Sequence, residues 1–91
     1  MVLYRVVFTR HAVERAMERG VGWREVVDVV HDPVQVYYDT WNDLYLYVGS
    51  SGCAVVAGYR GGYIEVVTVL SRREYEALIS KYGSSRYKLI S

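Results

Sequence analysis

The stretch CAVVAGYRGGYIEVVTVL, residues 53–70, decides the fold that this sequence predicts. Two runs rich in β-branched and aromatic residues flank Gly61-Gly62, and side chains in each run alternate with a period of two. A pair of glycines between such runs is typical of a two-residue β-hairpin loop. We therefore predict two antiparallel strands, over 53–60 and 63–70.

Pairing across this loop assigns side chains to the two faces of the predicted sheet. If Arg60 lies opposite Tyr63, these two residues share one face with Glu65. Tyr59 and Thr68 then lie together on the other face. The hairpin therefore places two hydroxyl groups, on neighbouring strands of one face, where they can donate hydrogen bonds.

Two more strands precede the hairpin, over 34–39 and 44–48, and their register depends on the turn between them. A strict four-residue loop would put Val36 on the same face as Tyr45 and Tyr47. A three- or five-residue loop would instead join it to the aliphatic residues of the next strand. The second choice separates apolar from polar residues better, so we prefer it. It leaves a second face that carries Gln35, Tyr37, Asp39, Tyr45 and Tyr47.

The N-terminal third contains a strand and two helices. Residues 2–8 are β-branched and aromatic, which favours a strand. The segment TRHAVERAMERG, residues 9–20, has a helical apolar stripe between a Thr9 N-cap and a Gly20 stop. A second helix is predicted over 23–31 and is ended by a proline. The predicted buried residues are Ala12, Val13, Ala16 and Met17 in the first helix, and Trp23, Val26, Val27 and Val30 in the second.

A third helix follows the hairpin. Ser71 and Glu74 form a capping box, and apolar residues recur after them at helical spacing until Gly83 closes the helix. Residues 84–91 form a tail for which no element is predicted. The second sheet face has no helix to cover it unless this last helix does so. A large uncovered patch would favour a homodimer, which we therefore expect.

Together these elements predict one α+β domain over 1–91, with its core in 1–83. An N-terminal strand and two helices pack on a four-stranded antiparallel sheet, and a C-terminal helix is added. No apolar run reaches the roughly 20 residues of a membrane-spanning helix, so no membrane partner is expected. The single cysteine, Cys53, allows no internal disulfide, which fits a reducing cytoplasm.

Charge is unevenly distributed although the net charge is only +1. Residues 1–24 carry +3, residues 25–49 carry −5, and residues 50–91 carry +3. Two basic segments around an acidic one can form a local basic face if the fold brings the chain ends together. Arginine far outnumbers lysine and amides are rare, a composition that indicates a heat-adapted protein.

The first helix carries the best candidates for chemistry. His11, Arg15 and Arg19 are spaced by four residues and fall on its polar arc. Histidine changes charge near neutral pH and arginine binds phosphate in a fixed geometry, so this set can form a catalytic phosphate site. Thr68 and Tyr59 are the expected hydrogen-bond donors beside it. A merely solvated helix face has the same pattern.

Other chemistries find little support. No zinc-binding spacing, phosphate-binding glycine loop or nucleophile motif occurs, so we expect no metal and no cofactor. Aromatic rings beside arginine are able to stack on RNA bases, which makes Arg60, Tyr63, Tyr45 and Tyr47 candidate RNA-binding residues. Such tyrosines are also common in cores and in oligomer interfaces.

The segment FTRHAVERAMERGV, the valine-rich second helix that ends at a proline, and the strand VVTVL resemble a family of small prokaryotic domains of unknown function. That family is grouped with RelE-type toxins and with barnase- and colicin-like ribonucleases, whose shared fold is N-terminal helices before a four-stranded antiparallel sheet. The resemblance covers about residues 3–70. The family's helix histidine falls on His11, its two arginines on Arg15 and Arg19, and its strand threonine on Thr68.

The resemblance implies a metal-independent endoribonuclease that an antitoxin holds inactive. In that reaction an RNA 2′-hydroxyl attacks the adjacent phosphate, His11 moves protons, and Arg15 and Arg19 bind the phosphate. The alternatives are a non-catalytic RNA- or protein-binding module of the same fold and a small structural homodimer. The expected partners are therefore RNA, an antitoxin and a second copy of the chain.

Overall fold

The computed structural model describes residues 5–91, which form three helices and one six-stranded sheet. The strands are β1 (Arg5–Phe8), β2 (Gln35–Asp39), β3 (Leu44–Val48), β4 (Ala54–Tyr59), β5 (Tyr63–Leu70) and β6 (Tyr87–Leu89). The helices are α1 (Arg10–Glu18), α2 (Trp23–His31) and α3 (Arg72–Arg86). The predicted α+β class is confirmed. Residues 2–4 of the predicted first strand lie outside the described residues.

The sheet is mixed and has six strands, instead of the predicted four-stranded antiparallel arrangement. Its order is β1-β5-β4-β3-β2-β6; β1 runs parallel to β5, and the other pairs are antiparallel. The two additional strands occupy its edges, and β6 comes from the predicted tail. Alternation identifies a strand but not its partner, and a three-residue strand is too short to show a period. The sequence therefore predicted β1 as a strand but not its place in the sheet, and it did not predict β6.

The first helix begins and ends where the sequence predicts. The Thr9 hydroxyl accepts the backbone N–H of Ala12 at 3.0 Å and donates to the carbonyl of Val67 at 3.1 Å. Gly20 adopts a φ of 66°, and the N–H of Val21 donates to a carbonyl more than one turn back at 2.9 Å. These caps fix α1 beside β5.

The helices α1 and α2 pack on the first face of the sheet, and their buried residues are fewer than predicted. Val13, Met17 and Trp23 were expected in the core but are exposed. The contact of α1 is centred on its two alanines, and Val13 and Met17 lie about 100° further round the helix. They therefore stay accessible beside the contact. The core of this face consists of Ala12, Ala16, Val26, Val29, Val30, Val55, Ala57, Ile64, Val66 and Val69.

The turn between β2 and β3 has four residues, 40–43, so the preferred register was wrong. Asp39 pairs with Leu44, and this register moves the β3 tyrosines to the first face. The carboxylate of Asp39 accepts the N–H groups of Trp41 and Asn42 at 3.0 and 3.3 Å, which fixes the tight turn. Apolar and polar residues could not identify the register because helices pack on both faces of the sheet.

A β-bulge in β5 changes the face on which Thr68 lies. Val56 pairs with Thr68, but the next residue of β4 pairs with Val66, so Val67 is an extra residue. Because side chains alternate with a period of two, the extra residue moves Thr68 to the second face. The prediction that Thr68 shares a face with Tyr59 was wrong, since the hairpin pattern does not mark where a bulge occurs.

The helix α3 packs on the second face, so the reason for expecting dimerisation through that face is removed. Ser71 and Glu74 form the predicted capping box. Tyr75 and Ile79 pack against the core of this face, which contains leucine, valine and alanine from β3 and β4. Gly83 has a non-helical backbone, with a φ of 34° and a ψ of −126°, so it breaks the helix where the sequence predicts its end, and a short helical segment follows to Arg86. The predicted tail therefore supplies the end of α3 and all of β6.

The hairpin loop leads to a prediction about its two glycines. Gly61 has a φ of 81°, whereas Gly62 is not in the left-handed region. Gly61→Val should therefore lower the free energy of unfolding by about 1–3 kcal/mol, because a β-branched residue is strained at positive φ. Gly62→Val should cost clearly less. Urea denaturation measures both, and equal losses would contradict this account of the turn.

Candidate functional site

Of the predicted catalytic residues, His11 and Arg15 are in contact on the exposed side of α1. Arg15 Nε donates to His11 Nε2 at 3.3 Å, and Arg15 Nη1 donates to Glu18 Oε1 at 3.1 Å. The spacing of four residues produces the first contact. Within residues 5–91 these bonds use two of the five guanidinium N–H donors, so Arg15 retains donors for a ligand.

Arg19 belongs to a different contact. Its Nε donates to Glu74 Oε1 at 2.7 Å, and its Nη2 donates to Glu74 Oε2. The Arg19 side chain is only 18% exposed. Both oxygens of one carboxylate engage the guanidinium, the strongest geometry for such a pair. Arg19 therefore joins the end of α1 to the start of α3 and is not available as the second phosphate ligand.

Glu74 links this ion pair to the cap of α3. Its Oε1 also accepts the N–H of Ser71 at 2.9 Å, and Ser71 Oγ accepts the N–H of Glu74 at 3.2 Å. Hydrogen bonds from Arg19 and then from Ser71 lower the pKa of Glu74 to about 2. The carboxylate is therefore ionised at neutral pH and holds both partners.

Thr68 lines a small cavity beneath α3, on the second face of the sheet. The cavity has a volume of about 190 Å³, and its lining combines aliphatic residues such as Leu46 and Leu78 with the ion pair of Asp39 and Arg86. The predicted catalytic site required Thr68 to lie beside His11, whose helix packs on the first face. The bulge in β5 separates the two residues. Thr68 is therefore not part of a site with His11.

The predicted residues at the β4–β5 hairpin are exposed and near one another. Tyr59 Oη donates to the carbonyl of Gly61 at 3.3 Å, and Arg60 Nε donates to Glu65 Oε1 at 3.2 Å. Tyr63 is exposed at the first position of β5. The hairpin therefore presents two tyrosines and an arginine whose charge is offset by Glu65.

The other predicted RNA-binding residues, Tyr45 and Tyr47, lie apart from this hairpin end in a row of rings on β2 and β3. The ring centroids are 6.1 Å apart for Tyr45 and Tyr47, and 5.2 Å apart for Tyr38 and Tyr45. Tyr38 Oη donates to Asp43 Oδ1 at 2.7 Å, and this hydrogen bond raises the pKa of Tyr38. All three tyrosines are half-buried. The predicted RNA-binding set thus divides into two groups.

An apolar groove that the sequence did not reveal lies between α1 and the start of α2. Three large side chains in it are exposed: Val13 by 45%, Met17 by 76% and Trp23 by 63%. The groove has a volume of about 410 Å³. We call it the α1–α2 groove, and it is lined by Phe8, Val13, Ala16, Met17, Val21, Gly22 and Trp23.

Charged side chains flank this groove. The guanidinium of Arg24 lies over the ring of Trp23, 5.3 Å from its centroid, a cation–π arrangement. Arg10 precedes Val13 by one turn on α1 and pairs with Glu14 at 3.3 Å. One signal in the sequence could have predicted that Val13 and Met17 are exposed. The apolar stripe of α1 combines two small residues with two large ones, and only the small ones can approach the sheet closely.

A second feature that the sequence did not reveal is the buried ion pair of Asp39 and Arg86. Asp39 is 4% exposed, and its two oxygens accept Arg86 Nε and Nη2 at 3.0 and 2.9 Å. Burial raises the pKa of Asp39, but hydrogen bonds from Arg86 and Asn42 outweigh this effect and lower it. The pair anchors α3 to the β2–β3 turn. The Arg86 guanidinium also lies about 5 Å from the ring centroids of Trp41, Tyr82 and Tyr87.

Metal-binding clusters and membrane-spanning helices are both absent from the described part of the chain. Between residues 5 and 91, no three His, Cys, Asp or Glu side chains are grouped so that they could hold a metal ion. No helix in the same range has both the length and the apolar character needed to cross a membrane. Comparison of the chain with protein-family models, with curated proteins and with solved structures gave no match.

Proposed function

We propose that the chain is a protein-binding module and that the α1–α2 groove is its binding surface. The observation that supports this most strongly is the exposure of Val13, Met17 and Trp23 in one groove. Apolar surface in water costs about 25 cal/mol per Å², and contiguous exposed patches mark interaction sites. A partner that covers the groove recovers this free energy.

The partner that fits this groove is an amphipathic helix. Val13 and Met17 lie one turn apart and form a ridge, and such ridges pack against the side chains of a second helix. Arg24 lies over Trp23 at the groove, whereas the charge of Arg10 is offset by Glu14. Acidic residues beside the apolar stripe of the partner therefore complement the charge of Arg24. An antitoxin, the partner that the resemblance implies, would supply such a helix.

A designed peptide tests this proposal. Trp41→Phe leaves Trp23 as the single tryptophan, because the chain has two. A helical peptide with a leucine stripe and glutamate flanks should bind with a Kd of about micromolar order and shift the emission of Trp23 to shorter wavelengths. The same peptide with lysine flanks should bind about tenfold more weakly.

Matched variants distinguish binding in the groove from non-specific association with other apolar surface. Met17→Glu should raise the Kd about 30-fold or more, because it puts a charge in the apolar contact. Val34→Glu is the control, since Val34 is 56% exposed but does not line the groove. The proposal fails if Val34→Glu weakens binding as much as Met17→Glu, or if neither peptide binds.

RNA cleavage is a second candidate function, and the hydrogen bond between Arg15 and His11 favours it. A phosphate that accepts from Arg15 Nε in place of His11 releases the Nε2 lone pair to act as a base. His11 Nε2 then takes the proton of a ribose 2′-hydroxyl as O2′ attacks phosphorus. The P–O2′ bond forms, the P–O5′ bond breaks, and O5′ takes a proton from water. Arg15 holds the charge that develops on the phosphate oxygens.

The two histidines provide a matched test of cleavage. His11→Asn should reduce cleavage of a single-stranded RNA in a chelating buffer by about 100-fold or more. His31→Asn, a change at an exposed histidine on α2, should leave the rate unchanged. Equal rates in both variants, or intact RNA with the unmodified protein, would reject catalysis by His11 without bearing on the groove.

A further inference from the structure

The strand β6 forms one edge of the sheet and keeps backbone groups that point outward. The N–H of Ile90 donates to the carbonyl of Val36 at 2.9 Å, and the carbonyl of Arg86 accepts an N–H of the β2–β3 turn at 2.8 Å. Bonding directions alternate along an antiparallel strand, so residues 86, 88 and 90 face β2; after them the N–H and C=O of Ser91 also bond to Val36. The N–H and C=O of Leu89 therefore face away from the sheet, toward whatever adds to this edge.

Apolar side chains adjoin this edge on both faces of the sheet. Leu89 pairs with Tyr37 on the second face and is 59% exposed. Ile90 is its neighbour and therefore lies on the first face, where it is 54% exposed. A strand that pairs with this edge must offer apolar side chains on both faces. Another copy of β6 offers them, since Leu89 lies on one face and Ile90 on the other.

We infer that β6 pairs antiparallel with β6 of a second copy, so that two sheets become one. With Leu89 opposite Leu89 of the second copy, the two residues exchange both backbone hydrogen bonds, and the two leucines contact each other. Lys88 then lies beside Ile90 of the second copy. Of the two neighbouring registers, one sets the two Lys88 ammonium groups opposite each other, which is unfavourable. The other pairs Leu89 with Ser91, whose N–H and C=O are already bonded to Val36.

This contact is compatible with the proposed groove but does not depend on it. The α1–α2 groove includes Phe8 of β1, the strand at the opposite edge of the sheet. In a two-fold contact each β6 edge is covered by the other, so no β6 edge remains for a third copy and association stops at a dimer. Both grooves of such a dimer stay open.

Sedimentation equilibrium from micromolar to millimolar concentration tests the inference. The mass should rise from the 10.5 kDa of one chain to twice that value. Leu89→Pro removes the outward N–H and should raise the dimer Kd about 100-fold, while Leu89→Ala keeps the N–H and should raise it less. A monomer at all concentrations, or a dimer whose Kd does not change in Leu89→Pro, overturns the inference.

Amide exchange of the unmodified chain tests the same contact if Leu89→Pro fails to fold. In the dimer the Leu89 N–H is hydrogen-bonded, so its exchange should slow as concentration rises, by a factor that approaches the ratio of total to free chain. The amide of Ile90 already bonds to β2 and serves as the internal reference. Exchange of Leu89 that is independent of concentration while the chain dimerises would place the interface elsewhere and overturn the inference.

Discussion

Asp39→Ala should lower the free energy of unfolding by about 3–5 kcal/mol, because it breaks a buried ion pair from one side. The substitution leaves the half-buried guanidinium of Arg86 without its carboxylate. It also removes the acceptor for the N–H groups of Trp41 and Asn42, which define the β2–β3 turn. Both the turn and the end of α3 lose their anchor, so β6 should also become less protected from amide exchange.

Urea denaturation followed by circular dichroism measures this effect. The matched control is Asp28→Ala, which removes an exposed carboxylate on α2 and should change stability by less than about 0.5 kcal/mol. A loss below about 1 kcal/mol for Asp39→Ala would mean that the pair contributes little more than a surface salt bridge. The anchoring role of Asp39 would then be wrong.

Arg19→Gln should lower the free energy of unfolding by about 1–2 kcal/mol, because a partly buried, two-point pair with Glu74 is lost. The control is Arg10→Gln, whose side chain is 94% exposed in its pair with Glu14. It should cost less than about 0.5 kcal/mol. Equal effects of the two substitutions would show that Arg19 is only a solvated residue of α1.

The same pair should make stability depend on pH in acid. The pKa of Glu74 is about 2 in the folded chain, below its ordinary value of 4.5. Its contribution is therefore complete above about pH 5 and is lost as the pH falls toward 2. Glu74 is 40% exposed, so solvent screening reduces this contribution to about 1 kcal/mol. Glu74→Gln should flatten the acid side of the stability profile, and an unchanged profile would contradict the pairing.

Local signals predicted the parts of the fold that local interactions determine. The Thr9 cap, the Gly20 stop and the Ser71–Glu74 capping box each depend on residues within a few positions of one another, and all three are present. The bulge at Val67 and the edge position of β6 depend on which strands meet, so no short-range pattern marks them. The β2–β3 register failed for a related reason, since α3 makes the second face apolar as well.

The candidate site shows the same division between local and distant contacts. His11 and Arg15 are four residues apart on one helix, and their contact follows from that spacing. Arg19 has the same spacing from Arg15, but Glu74 binds it from 55 positions away. The exposure of Trp23 depends on how α1 and α2 pack on the sheet. Helical periodicity identified the apolar stripe but not which of its residues stay uncovered.

Chemical-shift mapping tests most directly whether the α1–α2 groove binds an amphipathic helix with acidic flanks. Titration of the isotopically labelled chain with the glutamate-flanked peptide should shift the amides of Val13 and Met17 and the indole N–H of Trp23 most. Val34 directly precedes β2, which is four strands away from β1 in the sheet, so the chemical shift of its amide should stay unchanged. Shifts centred on β2 and β6, or no shifts at peptide concentrations that saturate the fluorescence change, would contradict binding in this groove.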